Sequence, residues 1–362
     1  MSARRRGPLK PIYVTATAEH AGKSAISLGL CLALRERGYN VGYFKPVGVP
    51  ARHVDHIIAD ADALQAQEVL GLPDAITDLC PVVLSAQMVD DVVGGKKIDP
   101  LKPIQKAYAR VSEGRDIVIV EGLGQLIRGS FLGASGYKLV SMLDAGTLLL
   151  AKYGGTVMLD RILAGQKWLD GSLLGVIFNF VPRGRLDQVT GQYREFLNRK
   201  HIKVYGVIKG NPKLSAVTVQ SIGRHLKAEV LSAEDHVNRL VESVLIGAMN
   251  QEHALRYFQR VAGKVVVTGG DRSDIILAAL ETPTVAVVLT GNFRPSPSVL
   301  ARAEEKEIPL LLTGADTLSA INELQELFGR FRVREPSKIK LITSLIEEHV
   351  DLDGLVRNLG KK

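Results

Sequence analysis

Cysteine is nearly absent. Cys31 and Cys80 are the only two in 362 residues, and no close spacing joins them. A cysteine-based zinc site is excluded, and a reducing, cytoplasmic location is expected. Aromatic residues make up only 5% of the chain. Long apolar runs are missing as well: residues 148–151 and 285–289 are far too short to cross a bilayer. The basic start, with Arg4, Arg5 and Arg6, leads into no sustained apolar stretch, because Thr15, Thr17, Glu19 and His20 interrupt the run from Ile12. No signal peptide is expected. The formal net charge is +8, dispersed outside Arg4–Arg6 and the tail, and no basic segment is interleaved with aromatics. Neither nucleic acid nor membrane is therefore expected as a partner. Attraction of anionic ligands or a plain solubility bias accounts for the charge.

What is present is glycine, 35 residues of it, in a chain that is 46% hydrophobic and 23% charged. That balance suits a globular α/β protein with many strand-to-helix turns. The length is too great for one ordinary core, so two domains are expected. Apolar, β-branched runs at 12–16, 41–47, 117–121, 147–151, 174–180 and 204–208 read as strands. Helical spacing falls between them at 23–37, 101–113, 156–169 and 187–199. Fully apolar strands alternating with helices predict a parallel sheet covered on both faces, with ligands at the carboxyl ends of its strands. A turn at Asn211-Pro212 closes this region. Helices at 215–226 and 235–248 and strands at 265–268, 285–289 and 309–312 then predict a second, smaller α/β unit. From Ser337 onward, Ile339, Ile342, Leu345 and Ile346 mark one side of a helix expected to pack within the chain.

Residues 12–24, Ile-Tyr-Val-Thr-Ala-Thr-Ala-Glu-His-Ala-Gly-Lys-Ser, carry the clearest chemistry. An apolar strand runs into small residues and then Gly22-Lys23-Ser24, followed by a helix with Ile26, Leu30, Ala33 and Leu34 on one face. Backbone N–H groups and a helix N-terminus in this arrangement form an anion-binding concavity. Lys23 would meet the β- and γ-phosphates, and the Ser24 hydroxyl would be a ligand for Mg²⁺. The strict phosphate-loop pattern has glycine where Thr17 stands. A solvated lysine after a glycine turn would use the same letters, but the strand–loop–helix context favours the nucleotide.

Further candidates fall at predicted strand ends. Lys45, held extended by Pro46, could neutralise a transferring phosphoryl group. Asp62 could cap a helix or reach Mg²⁺. Glu121 ends an apolar strand ahead of Gly122 and Gly124, where a carboxylate can bind Mg²⁺. Asn179 could contact a nucleobase edge or make a turn.

Thr15 to Ser24, then Lys45-Pro46-Val47, Asp62-Ala63-Leu64, Val120-Glu121-Gly122 and Asn179, occur in one order that resembles the P-loop domain of dethiobiotin synthetase. The version at the N-terminus of long bacterial phosphate acetyltransferases is the more particular likeness. Val267-Thr-Gly-Gly-Asp-Arg-Ser-Asp274 resembles the DRTGG domain that follows in those enzymes. The resemblance implies an α/β chain with a parallel-sheet P-loop NTPase domain (1–212), a smaller α/β DRTGG-like domain (213–335) and a C-terminal helix (336–362). It implies ATP and Mg²⁺ as cofactors, with Thr17, Glu19, Gly22, Lys23, Ser24 and Asn179 on the nucleotide. Ser24, Asp62 and Glu121 fall on the metal, and Lys45 with Lys23 falls on the transferred phosphate. It also implies a homo-oligomer.

On the substrate side the pattern departs: Gly48-Val49-Pro50 follows Lys45-Pro46-Val47 where the synthetase has a Ser-Gly pair, and Leu123-Gly124-Gln125 replaces Gly-Gly. The acetyl-transferring domain of the long enzymes follows the DRTGG region, whereas this sequence stops at Lys362, so acetyltransferase activity is not expected. Two readings remain. One is a nucleotide-dependent sensor or accessory protein. The other is an ATP hydrolase or ATP-dependent ligase that phosphorylates a small carboxylate, or the carbamate of an amine. A partitioning-type ATPase fits less well, since positions 16–21 hold no second lysine. In the second domain, Gly269-Gly270 ahead of Arg272 could hold an anion at a helix start, with Asp271 as the helix cap the simpler reading.

Overall fold

The computed structural model describes residues 9–54, 57–329 and 336–360. The Arg4–Arg6 cluster, the two terminal lysines and Glu335 at the expected domain edge lie outside them. The chain divides into two compact units: residues 1–210 together with 332–362, and Asn211–Phe331.

The first unit is built on a six-stranded sheet. Its strands run in the spatial order Val204–Lys209, Leu173–Val181, Gly146–Lys152, Ile12–Ala16 (β1), Ile117–Glu121 and Val41–Phe44 (β2). All neighbours are parallel. β1 is central, and its chain neighbours in space come from far along the sequence on both sides. That makes the carboxyl end of β1 a topological switch point, where ligands bind in such sheets. Every residue of β1 and of Ile117–Glu121 is buried, which is why these strands read as unbroken apolar runs. Lys23–Glu36 (α1) covers one face and buries Ile26, Leu28, Leu30, Cys31 and Leu34. Gly38, at φ 82°, lets the chain turn out of it.

Some expectations are corrected here. The 41–47 run is not one strand: β2 stops at Phe44, and a short Val47–Gly48 strand pairs elsewhere, with Val82–Val83. Pro46 lacks the N–H a continued ladder would need. The following antiparallel hairpin, Pro50–Val54 with Ile57–Asp60, leads directly into a helix at Ala61–Leu70 (α2). The segment 187–199 is helical but is interrupted by a π turn at Val189–Tyr193. The C-terminal stretch is two helices, Pro336–His349 and Leu352–Leu359, and it belongs to the first unit. Ile342 and Ile346 lie against Gly29 of α1, where an added Cβ would come within 2.9 Å and 2.8 Å of their side chains.

The second unit holds a five-stranded sheet in the order Glu229–Val230, Leu310–Leu312, Thr284–Thr290, Lys264–Gly269, Ser243–Ile246, parallel except at the Glu229–Val230 edge. One face packs Phe258, Ile275 and Leu280, and the other packs Ile222, Leu324 and Leu327. The expected helix at 235–248 does not exist. Residues there form the strands Leu240–Val241 and Ser243–Ile246. Among the described residues, no helix is long and apolar enough to cross a membrane.

Candidate nucleotide site

The phosphate loop connects β1 to α1 and is braced from several directions. The Thr17 N–H donates to the Leu150 carbonyl (2.9 Å), and the Ala16 N–H donates to the Gly124 carbonyl (3.3 Å). The Thr17 carbonyl accepts from Arg161 at 3.1 Å. Thr17 is buried, and its Oγ1 has no hydrogen-bond partner. Gly22 adopts φ 84°, and a Cβ there would lie 2.6 Å from the Asn179 side-chain nitrogen. Glycine before Lys23 is therefore required twice, by backbone angle and by space. No side chain caps α1. Its first N–H groups remain the orphan donors that favour an anion.

Lys23 and Ser24 open the helix, half-buried. The Ser24 hydroxyl donates to Glu121 Oε1 at 2.7 Å. Tyr43, at the end of β2, donates to Glu121 Oε2 at 2.9 Å. Lys45 lies deeper, with its side chain 4% exposed, and its ammonium contacts Asp62 at 2.5 Å, Asp60 at 2.9 Å and Glu121 at 3.5 Å. Four of the expected residues, Ser24, Lys45, Asp62 and Glu121, thus form one cluster, with Lys23 beside them.

Burial would push Lys45 down, but Glu121, Asp62 and Asp60 override it and hold the ammonium well above its ordinary value. Burial lowers Lys23, against the pull of Glu121 and Asp62. Burial raises Glu121, against the pull of Lys45. For Asp62 the attraction of Lys45 outweighs burial, and its carboxyl falls below the usual range.

Asp60, not Asp62, caps α2. Its Oδ1 accepts from the N–H groups of Asp62 (2.9 Å) and Ala63 (3.0 Å), and its Oδ2 accepts from the Val49 N–H (2.9 Å). Capping by Asp60 leaves the Asp62 carboxylate for Lys45. Asn179 is buried against the loop: its amide donates to the Ala21 carbonyl, and its oxygen accepts from the Phe180 N–H, each at 2.9 Å. Its polar atoms brace the loop here. Glu19 lies at the loop's surface, 3.4 Å from Arg128. Asp60, Tyr43, Arg128 and Arg161 were not singled out by sequence, although Asp60 stands in the same Asp-Ala-Asp triplet as Asp62.

The donor set fits Mg²⁺. One hydroxyl and two carboxylates are hard oxygen ligands, and this ion takes the rest of its shell from phosphate and water. Among the described residues no three or more His, Cys, Asp or Glu side chains form a cage able to hold an ion alone. A surface pocket of about 160 Å³ is lined by Ile57, Ile58, Ala59, Ile76, Pro81 and Val83 with Thr77 and Cys80.

A parallel sheet with a phosphate loop at its switch point, backed by a lysine–carboxylate cluster, defines a P-loop protein of nucleotide-binding type. A family model described as AAA domain matches residues 10–218, and a DRTGG domain model matches residues 221–327. The chain belongs to that AAA domain family, with a P-loop domain of dethiobiotin synthetase type, and it carries a DRTGG domain. It is similar to the phosphate acetyltransferase of Pseudomonas putida, 27% identical over 373 residues, covering 97% of this chain and 52% of the relative. The Nitrosomonas europaea phosphate acetyltransferase is 25% identical over 368 residues, covering 96% and 52%. The chain therefore spans about half the length of the curated relatives it matches. Among solved structures, the MinC:MinD cell division protein complex of Aquifex aeolicus aligns with a TM-score of 0.36 and 17% identity, over 57% of this chain and 83% of that one. The CBS and DRTGG domains of the Clostridium perfringens pyrophosphatase regulatory region align with a TM-score of 0.29 and 20% identity, over 38% and 68%.

Proposed function

We propose that the first unit binds Mg·ATP and that the chain works as a nucleotide-dependent sensor or accessory protein, with the DRTGG domain as its regulatory part. The observation that carries the nucleotide is the Ser24–Glu121 hydrogen bond at the uncapped start of α1, with Lys23 adjacent. A triphosphate would lie on the loop's N–H groups and Lys23. Mg²⁺, arriving with it, would take Ser24, Glu121 and Asp62 as protein-side oxygens and neutralise phosphate charge. Lys45 would then remain as a fixed positive charge beside the outermost phosphate.

The sensor reading is supported by what surrounds Lys45 on the acceptor side. The residue after Gly48 contributes only a backbone N–H, spent on Asp60, and its valine side chain carries no polar group. Few groups are left there to hold a polar acceptor. The second reading, an ATP-dependent ligase that activates a carboxylate or carbamate, is favoured by Lys45 itself. A buried ammonium near the phosphates is a transition-state device for phosphoryl transfer.

Calorimetric titration of the full chain with Mg·ATP, beside Lys23→Ala and with phosphate release followed in parallel, tests this. Lys23→Ala is expected to weaken binding roughly 10-fold or more, in line with the loss of a charge-assisted contact. Binding with negligible turnover supports the sensor, and steady turnover supports the ligase. Unchanged affinity in Lys23→Ala would overturn the assignment of the loop.

A further inference from the structure

Glu19 stands in the phosphate loop between Thr17 and Lys23, and the guanidinium of Arg128 pairs with it at 3.4 Å. Arg128 comes from a different part of the chain, the segment after the Ile117–Glu121 strand. Its root is fixed to the phosphate loop. The Gly124 carbonyl accepts from Thr15 Oγ1 at 2.9 Å and from the Ala16 N–H at 3.3 Å, and the Arg128 N–H donates to the Gln125 carbonyl at 3.0 Å. A Cβ at Gly124 would lie 2.8 Å from Arg128 Cδ, so glycine there lets the side chain fold back across the loop. Arg128 is also near enough to Lys23 to oppose the charge on its ammonium. Its own side chain stays 46% exposed, and its contact with Glu19 is a long one.

Building on the Mg·ATP reading, we propose that Arg128 is the γ-phosphate sensor of the site, held on Glu19 in the empty state and transferred to the terminal phosphate when a triphosphate binds. A γ-phosphate carries more charge than one carboxylate, and guanidinium matches phosphate geometry with paired donors. Glu19 therefore acts as a placeholder. It keeps the guanidinium over the loop and competes weakly with the nucleotide for it. A diphosphate, ending one group short, leaves the Glu19–Arg128 pair intact.

The test is the ratio of ATP to ADP affinity, measured calorimetrically on the full chain with Mg²⁺. Arg128→Ala is expected to weaken ATP binding by about 10- to 100-fold, the worth of a hydrogen bond to a charged group, and to change ADP binding by less than about threefold. Arg128→Lys should recover part of the ATP preference, because it restores charge without the fork. Glu19→Gln should tighten ATP binding. Gly124→Ala, which displaces the Arg128 side chain without removing it, should lose ATP preference as Arg128→Ala does. An Arg128→Ala protein that keeps the wild-type ratio, or one that loses ATP and ADP equally, would overturn the sensor role while leaving nucleotide binding in place. A wild type that binds neither nucleotide would overturn both.

Discussion

Two buried lysines show how one residue type carries opposite consequences. Lys45 is surrounded by three carboxylates, so its charge is wanted. Lys264, first in its strand of the second unit, is fully buried, and its ammonium has no hydrogen-bond partner. Burial lowers its pKa from 10.5 to about 8. The folded state thus resists protonating Lys264, while the unfolded chain protonates it freely. Stability should be lowest below about pH 8, rise between about 8 and 10.5, and level off above, since in that window the unfolded state binds more protons. Lys264→Met keeps the volume and removes the charge. It should stabilise the second unit by about 1–3 kcal/mol at neutral pH and abolish the rise, as read by urea unfolding across pH.

At this scale Lys23, Ser24, Glu121 and Lys45 were legible, because each stands in a short motif at a strand or helix end. The choice between Asp60 and Asp62 was not. Which carboxylate caps α2 depends on the extended backbone of Asp60, with ψ 137°, and on the Val49 N–H arriving from the hairpin. Arg128 was invisible because its partner is 109 positions away.

Among the elements, the six strands of the first sheet were readable from their apolar runs, and the failure at 235–248 has a physical cause. Val237, Val241, Val244 and Leu245 have helical spacing. In the fold, Val244 packs on one face of the second sheet and Leu245 on the other. A short run that packs apolar side chains on both faces cannot be told from a helix by its period. The C-terminal helix was legible as a helix, but its seat was not. The signal lies in Gly29, a glycine in the middle of α1 that leaves room for Ile342 and Ile346. Gly29→Leu should force these helices apart. The expected cost is about 1–3 kcal/mol, seen as a lower urea midpoint, and a smaller side chain at Ile346 should relieve part of it. A variant as stable as wild type would show that this contact is loose in solution.

Taken whole, the first unit is discontinuous in sequence. Its last strand, Val204–Lys209, is covered by residues from the far end of the chain. Gly206 bridges Val350, the Asp351 N–H donates to the Tyr205 carbonyl at 2.7 Å, and Lys203 pairs with Asp351 at 3.0 Å. An uncovered edge strand is an aggregation hazard. We therefore propose that a fragment ending near residue 212 is poorly soluble. Replacing Asn211–Phe331 with a flexible linker, so that 332–362 is retained, should give a fragment that unfolds cooperatively and keeps its nucleotide affinity. Comparing the two by thermal unfolding and Mg·ATP titration checks this. Equal behaviour would mean the C-terminal helices contribute nothing to the site's support.

That discontinuity also sets an order of events on the ribosome. When residue 210 emerges, the nucleotide unit has its whole sheet but not the helices that close it. The roughly 120 residues of the second unit must be translated first. At about 5–20 residues per second this is a wait of roughly 6–24 s. During that interval the second unit has time to fold, while the first stays unfinished and open to chaperones. Of the two units, the first is begun before the second and completed after it.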